Sequence, residues 1–134
     1  MFQKALVPVD GSPHMPGLVA YAIAFAKKAG CSLTFLYVVS MTPTASASDI
    51  EKQKAANAKI PEECKEKATN EGLSASSRIE AGSPAETIVN IAEHEKYDLI
   101  IIASRGYSRV RRLLVGSVAD QVMKLAPCPV LIFR

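Results

Sequence analysis

Leu99-Ile100-Ile101-Ile102-Ala103-Ser104-Arg105-Gly106, followed after Tyr107 to Val115 by Gly116-Ser117-Val118, is the stretch on which the fold turns. It begins with a short, wholly apolar run rich in β-branched residues, the pattern of a strand buried on both faces. Past the loop, Val118, Val122 and Leu125 recur at helical spacing while Asp120, Gln121 and Lys124 take the other side, which predicts a helix with those three as its apolar face. The order is strand, glycine-marked loop, helix start. Gly106 and Gly116 let backbone N–H groups come close to a ligand, and Ser117 adds a hydroxyl where a helix N-terminus gathers unpaired N–H groups and the positive end of its dipole. Such a place suits phosphate. The same residues also read as a turn at Gly106 and a plain cap at Gly116-Ser117, and a short motif alone does not choose between the two.

A second loop gives the first one meaning. Ala5-Leu6-Val7-Pro8-Val9 reads as a buried first strand ended by the turn formers Asp10-Gly11-Ser12. The helix after it has two possible starts: Ser12 as cap with Pro13 in first position, or Pro16, whose missing N–H fits only a first turn. Leu18, Ala22, Phe25, Ala26 and Ala29 form its apolar stripe, and Gly30 stops it. Ser32 to Val39 is a second strand, and Ser40 to Ser48 reads as a loop. Asp49 to Gly72 has helical propensity, with Pro61 predicted to kink or split it. Leu73 to Glu80 is a weaker third strand, polar enough for a sheet edge. Ser83-Pro84-Ala85-Glu86 has the form of a capping box opening a helix to about Lys96. Pro127 to Phe133 closes the chain as a strand whose prolines suit an edge or a strand start.

Strands alternating with helices predict an open five-stranded parallel α/β sheet, Rossmann-like, with helices on both faces. Ligands of such sheets bind beyond the carboxyl ends of the strands, where the strand order reverses. The two loops meet there only if the first strand neighbours the fourth, as in the order 3-2-1-4-5 and not in 2-1-3-4-5. Topology and function are tied.

The 134 residues make one expected domain, 1–134. With 49% hydrophobic and 22% charged residues, and no apolar run long enough to span a bilayer, a soluble chain without a membrane partner is expected. The start Met1-Phe2-Gln3-Lys4 leads into a strand without a signal-peptide pattern, so the expected compartment is the cytoplasm. Cys31, Cys64 and Cys128 are widely spaced and odd in number, which predicts free thiols, at least two of them buried. A net charge of +3 and 6% aromatic residues without Trp disfavour nucleic acid as a partner. His14 and His94 have no metal partners at ligand spacing. No Gly-x-Ser-x-Gly elbow is present, and neither loop contains a His, which argues against hydrolytic Ser chemistry.

With these residues in hand, the chain resembles the universal stress protein family along almost its whole length. The likeness is carried by Val7-Pro8-Val9-Asp10-Gly11-Ser12, Gly82-Ser83-Pro84-Ala85-Glu86, Asp98 to Gly106, and Gly116-Ser117 to Val130. Nucleotide-binding members carry Gly-x-x-Gly, nine residues, then Gly-Ser/Thr. Here Ala103 replaces the first glycine, while Gly106, the nine-residue spacing, Gly116 and Ser117 are kept. The resemblance implies an adenine nucleotide fold binding ATP or AMP. Asp10 would reach the ribose or a divalent ion, Mg²⁺ or Mn²⁺, carried on the phosphates. Pro8, Val9 and Val38 would border the adenine, and Ala103 to Gly106 with Gly116, Ser117 and Val118 would hold the phosphates. Of the four arginines in the loop, Arg105 and then Arg109 are the candidates to face phosphate. It further implies a homodimer through the edge strand Val130 to Phe133, unnamed protein partners, and a regulatory rather than catalytic role with ATP hydrolysis slow at most. The alternative is a nucleotide-free dimerisation module of the same fold, in which the Ala103 methyl closes the site.

Overall fold

In the computed structural model, which describes residues 2–104 and 115–134, the first strand is β1 (Lys4–Pro8) and is followed by α1 (Met15–Ala29). The chain continues through β2 (Ser32–Ser40), α2 (Ala47–Asn57), α3 (Lys59–Asn70) and β3 (Ala75–Gly82). It ends with α4 (Pro84–His94), β4 (Leu99–Ala103), α5 (Ser117–Leu125) and β5 (Val130–Phe133). The strands form one sheet in the order β3-β2-β1-β4-β5, every adjacent pair parallel. β1 and β4 are thus neighbours, with Leu6 in register with Ile100.

Alternation along the central strands divides the core in two. Ala5, Val7, Leu33, Phe35, Leu99 and Ile101 point to one face, where Leu18, Ala22 and Ala26 of α1 and Cys64 and Ala68 of α3 cover them. Leu6, Leu36, Ile100 and Ile102 point to the other, under Ile88 and Ala92 of α4 and Ala119 and Val122 of α5. Both faces are covered, which is why these strands read as continuous apolar runs. Each fully buried Leu, Ile or Phe in them contributes about 1.5–3 kcal/mol.

The helix boundaries correct several expectations. α1 starts at Met15, with His14 as N-cap and Pro16 still inside the first turn. The start falls between the two expected ones because Ser12 is used in a turn, its carbonyl accepting from Met15 N–H at 3.0 Å. α1 does stop at Gly30, whose φ of 72° suits glycine. α2 begins inside the stretch expected to be a loop, because Ser46 Oγ accepts from Asp49 N–H and caps it. The predicted split comes four residues upstream of Pro61, at Asn57, whose carbonyl would need the N–H that proline lacks. Ser83 caps α4 through its backbone only, with Thr87 N–H donating to Ser83 O at 2.9 Å, so the side-chain capping box does not form; Ser83 is exposed, where water can satisfy its hydroxyl. On α5, Val118 and Leu125 are exposed, and Ala119 and Val122 are the buried pair. The helix is rotated so that small Ala119 lies against α4 and the sheet.

Candidate functional site

The carboxyl ends of β1 and β4 lie side by side, and a cavity of about 260 Å³ opens above them. Pro8, Val9 and Asp10 come to it from β1 and the following turn, Val38 from β2, Ala103 from the tip of β4, and Gly116, Ser117 and Val118 from the start of α5. All eight are residues that the sequence singles out. Arg105, Gly106 and Arg109, the other three, lie outside the described residues.

Main-chain bonds position this frame. Val9 N–H donates to Leu36 O at 2.8 Å, fixing the end of β1 to β2. Gly11 takes φ 73°, a left-handed conformation that glycine adopts without strain, and Asp10 Oδ1 accepts from Ser12 N–H at 2.9 Å. The Asp10 carboxylate is thereby held at the cavity by its own turn. Ser104 N–H donates to Phe133 O at 2.8 Å, and Ser104 O accepts from Gly116 N–H at 2.5 Å. Those two bonds bring the start of α5 back against the tip of β4.

α5 has Gly116 as N-cap and no side-chain cap bond. Its first intrahelical bond runs from Asp120 N–H to Gly116 O at 2.9 Å, so the N–H groups of Ser117, Val118 and Ala119 stand outside the helix's own ladder. All three residues line the cavity. Partial positive charge therefore collects on that side, suited to an anion. Asp120 in the same turn is engaged by Lys124 at 3.0 Å, which limits its opposition to that charge.

Ala103 is the last residue of β4, in register with Phe133. Lys96 is the one non-glycine residue with positive φ among those described, so the Ala103 methyl carries no backbone strain.

Sequence reasoning missed most of the apolar lining of the cavity. Met15, Leu36, Pro84, Ile88, Ile102 and Ala119 also line the cavity. Most of them are core residues by pattern, and the signal lay in their spacing: Leu36 shares a strand face with Val38, and Pro84 and Ile88 lie one turn apart on α4. Among the described residues the cavity thus has an apolar lining that suits a ring, together with N–H groups, hydroxyls and one carboxylate.

The thiols take no part in it. Cys31 and Cys64 are buried and Cys128 half-buried, all three free; burial pushes each thiol pKa up. Among the described residues no group of three His, Cys, Asp or Glu gathers to hold a metal, and no helix is long and apolar enough to cross a membrane.

Comparison with known proteins agrees with this architecture. The model of the Universal stress protein family matches residues 1–134. The Bacillus subtilis universal stress protein YxiE is 34% identical over 148 residues, covering 100% of both chains. Among solved structures, universal stress protein UspA from Lactobacillus plantarum matches with a TM-score of 0.85 and 28% identity over 99% of this chain and 98% of that one. A universal stress protein in complex with cAMP shares the fold at 24% identity and a TM-score of 0.77, over 99% and 97% of the two chains. So does one from Archaeoglobus fulgidus in complex with dAMP, at 20% identity and a TM-score of 0.74, over 99% and 98%.

Proposed function

The chain belongs to the universal stress protein family, and on that premise we propose that its β1–β4 cavity binds an adenine nucleotide, ATP or AMP, and that the protein is a cytoplasmic dimeric stress-response regulator rather than an enzyme. The observation that carries the reading is the meeting, in one cavity, of an apolar bay with the N–H groups at the α5 N-terminus that lie outside the helix's own ladder. The base lies against Pro8, Val9, Leu36, Val38 and Ile88, and the phosphates against Ala103, Ser104 and the first turn of α5. Two family structures of the same fold, one in complex with cAMP and one with dAMP, support an adenine nucleotide as the ligand class.

Asp10 supplies the one carboxylate among the described lining residues, and its Oδ1 already accepts from Ser12 N–H. That supports a regulatory role, with the nucleotide held rather than turned over. A Mg²⁺ or Mn²⁺ ion arriving on the phosphates would have Asp10 as its protein donor.

The dimer is proposed through β5. Ile100 N–H donates to Pro129 O and Ser104 N–H to Phe133 O, so alternate residues of β5 face β4, which leaves the main-chain groups of Val130 and Ile132 toward the open edge. Tyr21, 41% exposed with its ring 5.5 Å from that of Phe133, adds apolar surface beside that edge.

The test is calorimetric titration of the protein with AMP and ATP, together with extraction of any nucleotide carried through purification. Micromolar binding is expected in the wild type and in Ala103→Gly alike. Binding in Ala103→Gly alone would establish the nucleotide-free module, and binding in neither would refute the nucleotide reading.

A further inference from the structure

The sheet has a second open edge, along β3, at the opposite end of the strand order from β5. β3 is eight residues long where β5 is four. Leu33 N–H donates to Ser74 O and Met41 N–H to Gly82 O, so the even-numbered residues of β3 bond to β2. The main-chain N–H and C=O groups of Ala75, Ser77, Ile79 and Ala81 therefore point outward, and all four residues are only half-buried.

The residues between them carry charge. Arg78 and Glu80 lie on one face of β3, where Arg78 bonds to Glu80 at 3.0 Å and to Glu95 just past α4. Their side chains are 29% and 37% exposed, and a guanidinium has N–H donors beyond those two bonds, so both remain open to a partner.

Charges on an edge strand ordinarily block pairing. Here their order admits one pairing and opposes its neighbours. In an antiparallel pair of two copies, outward main-chain groups must meet outward ones. Setting Ile79 opposite the partner's Ile79 satisfies this, with Ser77 opposite the partner's Ala81 in hydrogen-bonded pairs. The same register sets Arg78 across from the partner's Glu80, and Glu80 across from the partner's Arg78, in the non-hydrogen-bonded pairs whose side chains come closest. Sliding by two residues one way opposes Arg78 to the partner's Arg78, and the other way Glu80 to the partner's Glu80. Sliding by one residue turns outward groups toward groups already bonded to β2.

We propose that the β3 edge is a second self-association surface, where two copies pair antiparallel about a two-fold axis at Ile79 and their Arg78 and Glu80 side chains form a ring of alternating charge. The occupant is a second copy because the strand is complementary to itself in that one register. The contact is weak: a single strand pair buries less than a stable dimer needs, and Arg78 divides its charge between the partner and its own Glu80 and Glu95. It forms at higher protein concentration than the β5 dimer proposed above and joins such dimers by extending the sheet.

The test is sedimentation velocity over a concentration series on full-length chains carrying Ile132→Pro, which removes an N–H from the β5 edge and leaves β3 open. This chain is expected to be monomeric at micromolar concentration and to pass to dimer toward millimolar, less so in high salt. Arg78→Glu and Glu80→Arg, each added to it, set like charges opposite and are expected to raise the dissociation constant at least about tenfold. An equimolar mixture of the two sets an acidic strand against a basic one and is expected to restore the dimer. Ile79→Pro, which removes the central N–H without touching the charges, is expected to abolish it with the far-ultraviolet spectrum retained, and decides the matter if a charge reversal does not fold. Association unchanged by the reversals or by Ile79→Pro overturns the inference, as does a mixture of folded variants that fails to recover it. A chain that stays monomeric at millimolar concentration also overturns it and leaves the edge to an extended segment of another protein. Wild-type chains that sediment like the Ile132→Pro variant at every concentration would refute the β5 dimer and leave this inference standing.

Discussion

Replacing Gly116 by valine separates folding from binding, because the glycine is not needed for its backbone. Gly116 takes φ −62° and ψ 158°, open to any residue, and its bonds to Ser104 and Asp120 are main-chain and survive the change. The stability cost is the N-cap preference for glycine over a β-branched residue, about 1 kcal/mol. At about 2.1 cal/mol/K of unfolding entropy per residue, a 134-residue chain loses about 3–4 °C in Tm for that cost. Binding suffers more. The isopropyl group stands beside the N–H groups of Ser117, Val118 and Ala119 and keeps a phosphate from reaching them. Losing one such bond, about 1.5–3 kcal/mol, raises the Kd for AMP about 10- to 150-fold. Calorimetric titration paired with a thermal melt reads both quantities on one sample. A variant that melts a few degrees lower yet binds AMP as the wild type does would refute the placement of the phosphate at α5.

Tyr97→Phe removes a hydroxyl that donates to Thr34 Oγ1 at 3.0 Å in a buried bond, which continues from Thr34 to exposed Ser76, and is expected to cost about 1 kcal/mol in urea unfolding with nucleotide affinity unchanged; a neutral result would mean that the chain adds nothing to stability. Burial raises the Cys31 and Cys64 thiol pKa values, so the folded chain holds those protons more tightly than the unfolded one. Their contribution to stability is present below the ordinary thiol value, about 8.5, and is lost as pH rises through the folded values. Thiolate absorbance should therefore develop later in the folded than in the urea-unfolded protein, and coincident titrations would contradict this. Ile132→Pro deletes an N–H that faces the open edge of β5, and sedimentation should shift from dimer to monomer with the far-ultraviolet spectrum retained; a dimer that persists would place the interface elsewhere.

The strand order was legible because two loops carried complementary chemistry. Asp10-Gly11-Ser12 and the stretch from Ala103 to Ser117 make sense together only if β1 and β4 are adjacent, and they are. The apolar runs at Leu99 to Ile102 and Ala5 to Val7 announced strands covered on both faces. Less was legible where two principles compete. Ser46 begins a helix in a polar stretch with no apolar period to signal it, and α2 buries none of its residues. Val118 and Leu125 fit a helical stripe as well as Ala119 and Val122 do, and only packing against α4 decides in favour of the smaller pair. Met15 and Ile88 look like core because they are core; one side of each meets the cavity, and periodicity does not distinguish a side chain packed on a neighbour from one packed on a ligand.

The central claim is most directly tested by an amide NMR titration of the ¹⁵N-labelled protein with AMP. Saturable shifts concentrated at Val9, Asp10, Val38, Ala103 and the amides of Ser117, Val118 and Ala119 are the predicted result. Saturable shifts that bypass the β4 tip and the first turn of α5, or none at millimolar AMP, would contradict the account.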